Sequence, residues 1–81
     1  MSRTLQSPRH EALRTLLVEK RNKAGLTQAQ VAAKLGRYQS FVATVESGQR
    51  RIDVVEFLDF AAAIGFDPAK TIKRLLSVKR D

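Results

Sequence analysis

The sequence predicts an all-α domain of five helices. Three observations carry this. Apolar residues recur at three- and four-residue intervals in five stretches, and no stretch alternates as a half-buried strand would. Four stretches follow a residue whose side chain caps a helix: Ser7, Thr27, Asp53 and Asp67. Four glycines, Gly25, Gly36, Gly48 and Gly65, fall where the first four helices must stop.

The elements follow in order. Residues 1–6 read as a short flexible basic arm. Ser7-Pro8 supplies a hydroxyl cap and then proline at the first helical position. Leu13, Leu16, Leu17 and Ala24 mark the apolar stripe of helix 1. Thr27 caps helix 2, about 28–35, and Gln30 completes a Thr-x-x-Gln capping box. Val31, Ala32 and Leu35 face inward. Helix 3 is expected at about 39–47, followed by a basic loop, Gln49–Ile52. Asp53 and Glu56 form a second capping box at the start of helix 4, with Phe57, Leu58, Ala61 and Ile64 as its buried face. Asp67-Pro68 opens helix 5, about 68–79, with Ile72, Leu75 and Leu76 apolar. Loops of two to five residues join these helices. No linker divides the chain, so residues 7–81 are expected to form one domain.

Size and charge bound the function. A chain of 81 residues lies near the lower end of what folds alone. It has no cysteine, which excludes disulfide or cysteine-zinc staples and fits a reducing cytoplasm. No apolar run approaches the ~18–20 residues of a membrane span. The net charge of +7 is unevenly spread. Residues 1–52 hold ten Lys/Arg against three acids, residues 53–69 hold four acids and no Lys/Arg, and residues 70–81 hold five basics and Asp81. The excess lies on the half that carries helices 2 and 3, as a polyanion-binding surface requires. A solvated basic surface with no such partner has the same composition.

The stretch Leu26–Gly48 is more specific. Gln28 opens helix 2. Ala32 is small where two helices must cross closely. Gly36 takes the left-handed backbone of a helix end. Val42 and Val45 form the i, i+3 pair that packs helix 3 onto helix 2. These intervals fit two short helices joined by a tight turn. With GLTQ at 25–28, AAKLG at 32–36, QSFVATVESG at 39–48 and FLDFAAAIGFDP at 57–68, the chain resembles the Cro/CI-type (XRE-like) helix-turn-helix family of phage and bacterial repressors. The likeness covers roughly residues 13–66. It implies a lambda-repressor-like DNA-binding domain with the helix-turn-helix at helices 2 and 3.

A helix in the major groove presents its first turn and one face to base edges. Helix 3 offers Gln39, which can pair with adenine through two hydrogen bonds, then Ser40, and Thr44 one turn on. The resemblance selects the same three as base readers. Phosphate contacts are expected from the start of helix 2, Thr27 and Gln28, and from Arg37, Tyr38, Ser47, Arg50 and Arg51 around helix 3. By resemblance, Gln28 also braces Gln39, and Arg21 pairs with Glu46 in a structural salt bridge. Arg3 or Arg9 is a weaker candidate for following the duplex.

The chain departs from the family pattern at two places. Arg37 stands where the turn usually has an apolar residue, and Tyr38 where it usually has a small capping hydroxyl. Phe41 is unusual on a reading helix. It either meets a thymine methyl or packs under the 49–52 loop.

One reading helix contacts too few base pairs to find a single site, so a homodimer on a near-palindrome is expected. Phe66, Ile72, Leu75 and Leu76 are its candidate interface. The alternative is that they close the monomer core. No HExxH, CxxC or phosphate-cradling glycine loop occurs. The lone His10 reads as a surface residue. No enzyme activity, metal, cofactor or small-molecule ligand is expected. The reading is therefore a DNA-binding transcriptional regulator, a repressor, with double-stranded DNA as partner. The alternative is an antitoxin or adaptor whose main partner is another protein.

Overall fold

Capping chemistry sets the helix boundaries. A computed structural model describes residues 7–79. The expected arm over residues 1–6, Arg3 included, lies outside the described residues. The helices are α1 (Pro8–Lys23), α2 (Gln28–Leu35), α3 (Gln39–Glu46), α4 (Val54–Ile64) and α5 (Pro68–Leu76), and no strand occurs among the described residues. The Ser7 hydroxyl accepts the His10 N–H at 3.1 Å. Both capping boxes close. Thr27 Oγ1 accepts from Gln30 N–H while Gln30 Oε1 accepts from Thr27 N–H, and Asp53 and Glu56 do the same. Asp67 accepts from the N–H groups of Ala69 and Lys70. Tyr38 makes no side-chain cap.

Every glycine in the chain has positive φ. Gly48 is the most constrained. Its φ is +85°, and an added Cβ would lie 3.0 Å from Arg14 Cδ and 3.2 Å from Arg14 Nε. At Gly36, φ +68°, a Cβ would meet nothing within 4 Å. Gly36→Ala therefore carries only the left-handed backbone cost, about 1–2 kcal/mol. Gly48→Ala is expected to exceed it, because Arg14 must also move off the end of α3. Paired thermal denaturation of the two variants checks this ordering.

The core is one cluster: Leu17 from α1, Val31 and Ala32 from α2, Val42 and Val45 from α3, and Phe60 and Ile64 from α4. The valines of α3 point inward as a pair, so the opposite edge of that helix faces solvent. Burying each contributes on the order of 1.5–3 kcal/mol. The inward face of α4 is Phe57, Phe60, Ala61 and Ile64. Leu58, expected on that face, is exposed, and Phe60 takes the position. The reason is phase: 57, 60, 61 and 64 follow the i, i+3, i+4, i+7 rule, and 58 falls on the flank.

Three further differences bear on the site. The connection from α3 to α4 is residues 47–53, longer than the expected two to five. α5 stops at Leu76, short of the expected 79. The Ser77 hydroxyl turns back to Arg74 O, and Arg9 donates to Leu76 O and Val78 O at 3.2 and 3.0 Å, satisfying the helix end. Arg9 thus ties α1 to α5. His10, expected at the surface, is buried. Among the described residues, no helix is long and apolar enough to cross a membrane.

Candidate nucleic-acid interface

The site is built around one buried carboxylate. Glu46 ends α3 with 7% of its side chain exposed. Arg21 of α1 meets it through two parallel bonds, Nε to Oε2 at 2.6 Å and Nη2 to Oε1 at 2.9 Å. The remaining Arg21 nitrogen donates to Leu26 O at 2.9 Å. The hydrogen bond to Glu46 raises the Arg21 pKa above its ordinary value against the opposing pull of burial, and the Glu46 charge adds to the rise. The expected salt bridge is present, bidentate and largely buried.

The same carboxylate anchors the exposed start of α3. Gln28 Nε2 donates to Glu46 Oε1 at 2.9 Å, and Gln39 Nε2 donates to Gln28 Oε1 at 2.7 Å. A continuous chain, Arg21–Glu46–Gln28–Gln39, therefore runs from the interior to the first residue of α3. Arg14 adds a second grip. Its Nη1 donates to the backbone carbonyl of Glu46 at 2.9 Å, and its Nε to Glu11 Oε1 at 2.9 Å. The sequence reading missed Arg14. The signal was available: Arg14 precedes Arg21 by two helical turns and so lies on the same face of α1.

The other candidates gather around α3. One shallow groove is lined by Gly36, Arg37, Tyr38, Ser40, Phe41, Thr44 and Arg50. Gln39 and Ser40 are exposed, and Thr44 is half-buried. The Thr44 hydroxyl donates within its own helix, toward Ser40 O at 3.0 Å and Phe41 O at 2.9 Å. What it turns outward is a lone pair and a methyl group, not a donor. Ser47 is exposed, and its hydroxyl donates to Thr44 O. Thr27 and Arg51 are exposed, and Tyr38 is 86% exposed. Gln28 is half-buried with both amide atoms engaged. The Gln30 N–H is taken by the Thr27 hydroxyl, so an anion at the start of α2 would meet the N–H groups of Gln28 and Ala29.

Phe41 packs inward, on Phe60, with ring centres 5.9 Å apart. Arg37 and Arg50 lie over its ring and reach Glu56. Glu56 appeared in the sequence only as half of a capping box, and nothing local marks it as an arginine partner.

A family model described as a helix-turn-helix domain matches residues 5–71. An XRE-family like protein from Pseudomonas syringae pv. tomato is 49% identical, with 85% of this chain and 84% of that chain covered and a TM-score of 0.82. The chain belongs to the XRE-like helix-turn-helix family of DNA-binding transcription regulators. The restriction-modification controller protein C.AhdI from Aeromonas hydrophila is 34% identical over 75% of this chain and 86% of that one, with a TM-score of 0.65. The clp gene regulator ClgR from C. glutamicum, at 19% identity, shares the fold, with a TM-score of 0.75 over 84% of this chain and 88% of its own. Among curated proteins none matches. For this XRE-like chain the expected fold class is correct: all-α, with α2 and α3 forming the helix-turn-helix pair. The family is one of DNA-binding regulators and not an enzyme class.

Proposed function

We propose that this XRE-like protein is a homodimeric repressor that reads a near-palindromic operator through the major groove, with α3 as the reading helix. The observation that carries the reading is the Gln39 amide. One Nε2 hydrogen goes to Gln28; the second, and the Oε1 acceptor, have no partner among the described residues. That leaves the donor–acceptor pair that adenine N7 and N6 match, on a side chain already held in place. Ser40 and Thr44 extend the reading edge. Thr27, Gln28, Arg37, Tyr38, Ser47, Arg50 and Arg51 are its phosphate contacts. Similarity to a protein described as a controller supports a regulatory role.

The dimer is proposed through Phe66, Ile72, Leu75 and Leu76. Ile72 and Leu76, one turn apart on α5, are 46% and 65% exposed. Large apolar side chains left in water at helical spacing suit a second copy's matching face, and a twofold axis there pairs two reading helices. Selection of duplexes from a random library is expected to enrich an inverted repeat with half-sites about one helical turn, ~34 Å, apart. Enrichment of nothing, or only of asymmetric sequences, contradicts the proposal. Ile72→Asp with Leu76→Asp is expected to give a monomer in sedimentation and to weaken the palindrome by about 100-fold or more, while a single half-site is bound as before.

A further inference from the structure

Arg37 and Arg50 leave the chain at opposite ends of α3, yet their guanidinium groups converge. The Cζ atoms lie 3.7 Å and 4.8 Å from the centre of the Phe41 ring. Both groups reach one carboxylate on α4. Arg37 Nη1 is 3.5 Å from Glu56 Oε2, Arg50 Nη2 is 3.2 Å from the same oxygen, and Arg50 Nη1 is 3.3 Å from Oε1. Neither anchor is loose. Phe41 rests on Phe60, which is 1% exposed, and Glu56 Oε1 accepts the Asp53 N–H at 2.9 Å. That backbone bond first, and Arg50 second, hold the Glu56 carboxyl below the usual carboxylate range, so it is anionic at neutral pH.

Glu56 acts on DNA binding in two opposed ways. It fixes two long side chains whose freedom would otherwise be lost on meeting phosphate. It also places a negative charge beside the duplex and cancels part of the basic field. Binding to DNA in general depends on that field and gains little from fixed geometry. A specific complex gains from the geometry, because phosphate contacts set the register of the reading helix.

We propose that Glu56, with Phe41, is a specificity-determining positioning residue: it presets Arg37 and Arg50 as a pair around α3 while suppressing attraction to DNA at large. This rests on Arg37 and Arg50 being phosphate contacts. Glu56→Gln is the informative variant, since the glutamine oxygen can still accept the Asp53 N–H of the capping box, while the charge and the second acceptor, on which Arg37 and Arg50 meet, are lost. Affinity is measured on the selected operator and on a scrambled duplex across a salt series, with the active fraction set by stoichiometric titration. Glu56→Gln is expected to bind the scrambled duplex about 3–10-fold tighter with a steeper salt dependence, and the operator within about twofold of the parent. Phe41→Leu, which keeps apolar contact but loses the ring face, is expected to lower the same ratio by weakening the operator. An unchanged ratio in Glu56→Gln, whether both affinities move together or neither moves, overturns the role of Glu56. Arg50→Ala separates the two ideas. If it weakens neither duplex, the phosphate-contact reading fails. If it weakens both while Glu56→Gln leaves the ratio intact, only the positioning role fails.

Discussion

Arg21→Ala is expected to cost about 3–5 kcal/mol of folding stability, the range for breaking a buried ion pair from one side. The geometry places this pair in that class and not among surface bridges, which contribute about 0–1 kcal/mol. Both partners are largely covered, at 14% and 7% side-chain exposure, and the contact is a two-pronged fork. Without Arg21, the Glu46 carboxylate keeps Gln28 as its only side-chain donor among the described residues, and Leu26 O loses the guanidinium it accepts from. For a domain of this size each kcal/mol shifts Tm by about 4–8 °C, so a fall of at least about 12 °C is expected. Arg21→Lys keeps the charge but not the fork and should fall between. The double variant Arg21→Ala/Glu46→Ala should lose less than the sum of the single changes, since it strands no charge. A melting curve for Arg21→Ala within about 2 °C of the parent would place the pair among surface bridges.

The fold was legible in the sequence because caps and helix ends are written in short-range spacing, whereas the bridge was expected only from the family resemblance. A cap and its N3 partner lie three residues apart, and the box at Thr27–Gln30 closes in the structure as it does on paper. The valines of α3 show their phase within one turn. The bridge spans 25 residues, and no local pattern carries it; the family resemblance alone pointed to it.

What escaped depends on packing between elements. Leu58 and Phe60 are both apolar and lie two positions apart. Only the angle at which α4 meets the core decides which is covered. The tie of Arg9 to the end of α5 joins residues 67 and 69 positions apart, which no local pattern carries. The loss of Thr44 as a donor is subtler. A threonine inside a helix has carbonyls three and four residues back within reach, and here its hydroxyl takes them. The acidic character of α4 was visible as charge. That one of its acids disciplines two arginines around α3 was not, because the ring that gathers them, Phe41, had two readings and only tertiary contact chooses between them.

Gln39→Ala is expected to erase base preference at one position in each half-site while sparing the fold. Gln39 is exposed and among the described residues its side chain bonds only to Gln28, so its truncation leaves the core and the Arg21–Glu46 pair intact. A two-bond contact from an amide to adenine discriminates by about 1–3 kcal/mol, or about 5–150-fold at that base pair. In a twofold dimer the contact occurs twice and the discrimination is squared, the largest change in recognition any single side chain here should produce. Selection repeated with the variant should return the parental inverted repeat with that one symmetric pair of positions randomised. Gln28→Ala is the informative companion. It leaves the reading amide in place but unbraced, so the preferred base should stay the same while operator affinity falls, because the protein must now immobilise Gln39 on binding. The two variants thus separate a residue that reads from one that holds the reader. If Gln39→Ala returned every position of the parental site unchanged, recognition would have to pass to Ser40 and the acceptor and methyl of Thr44, and α3 would have to enter the groove by a different edge.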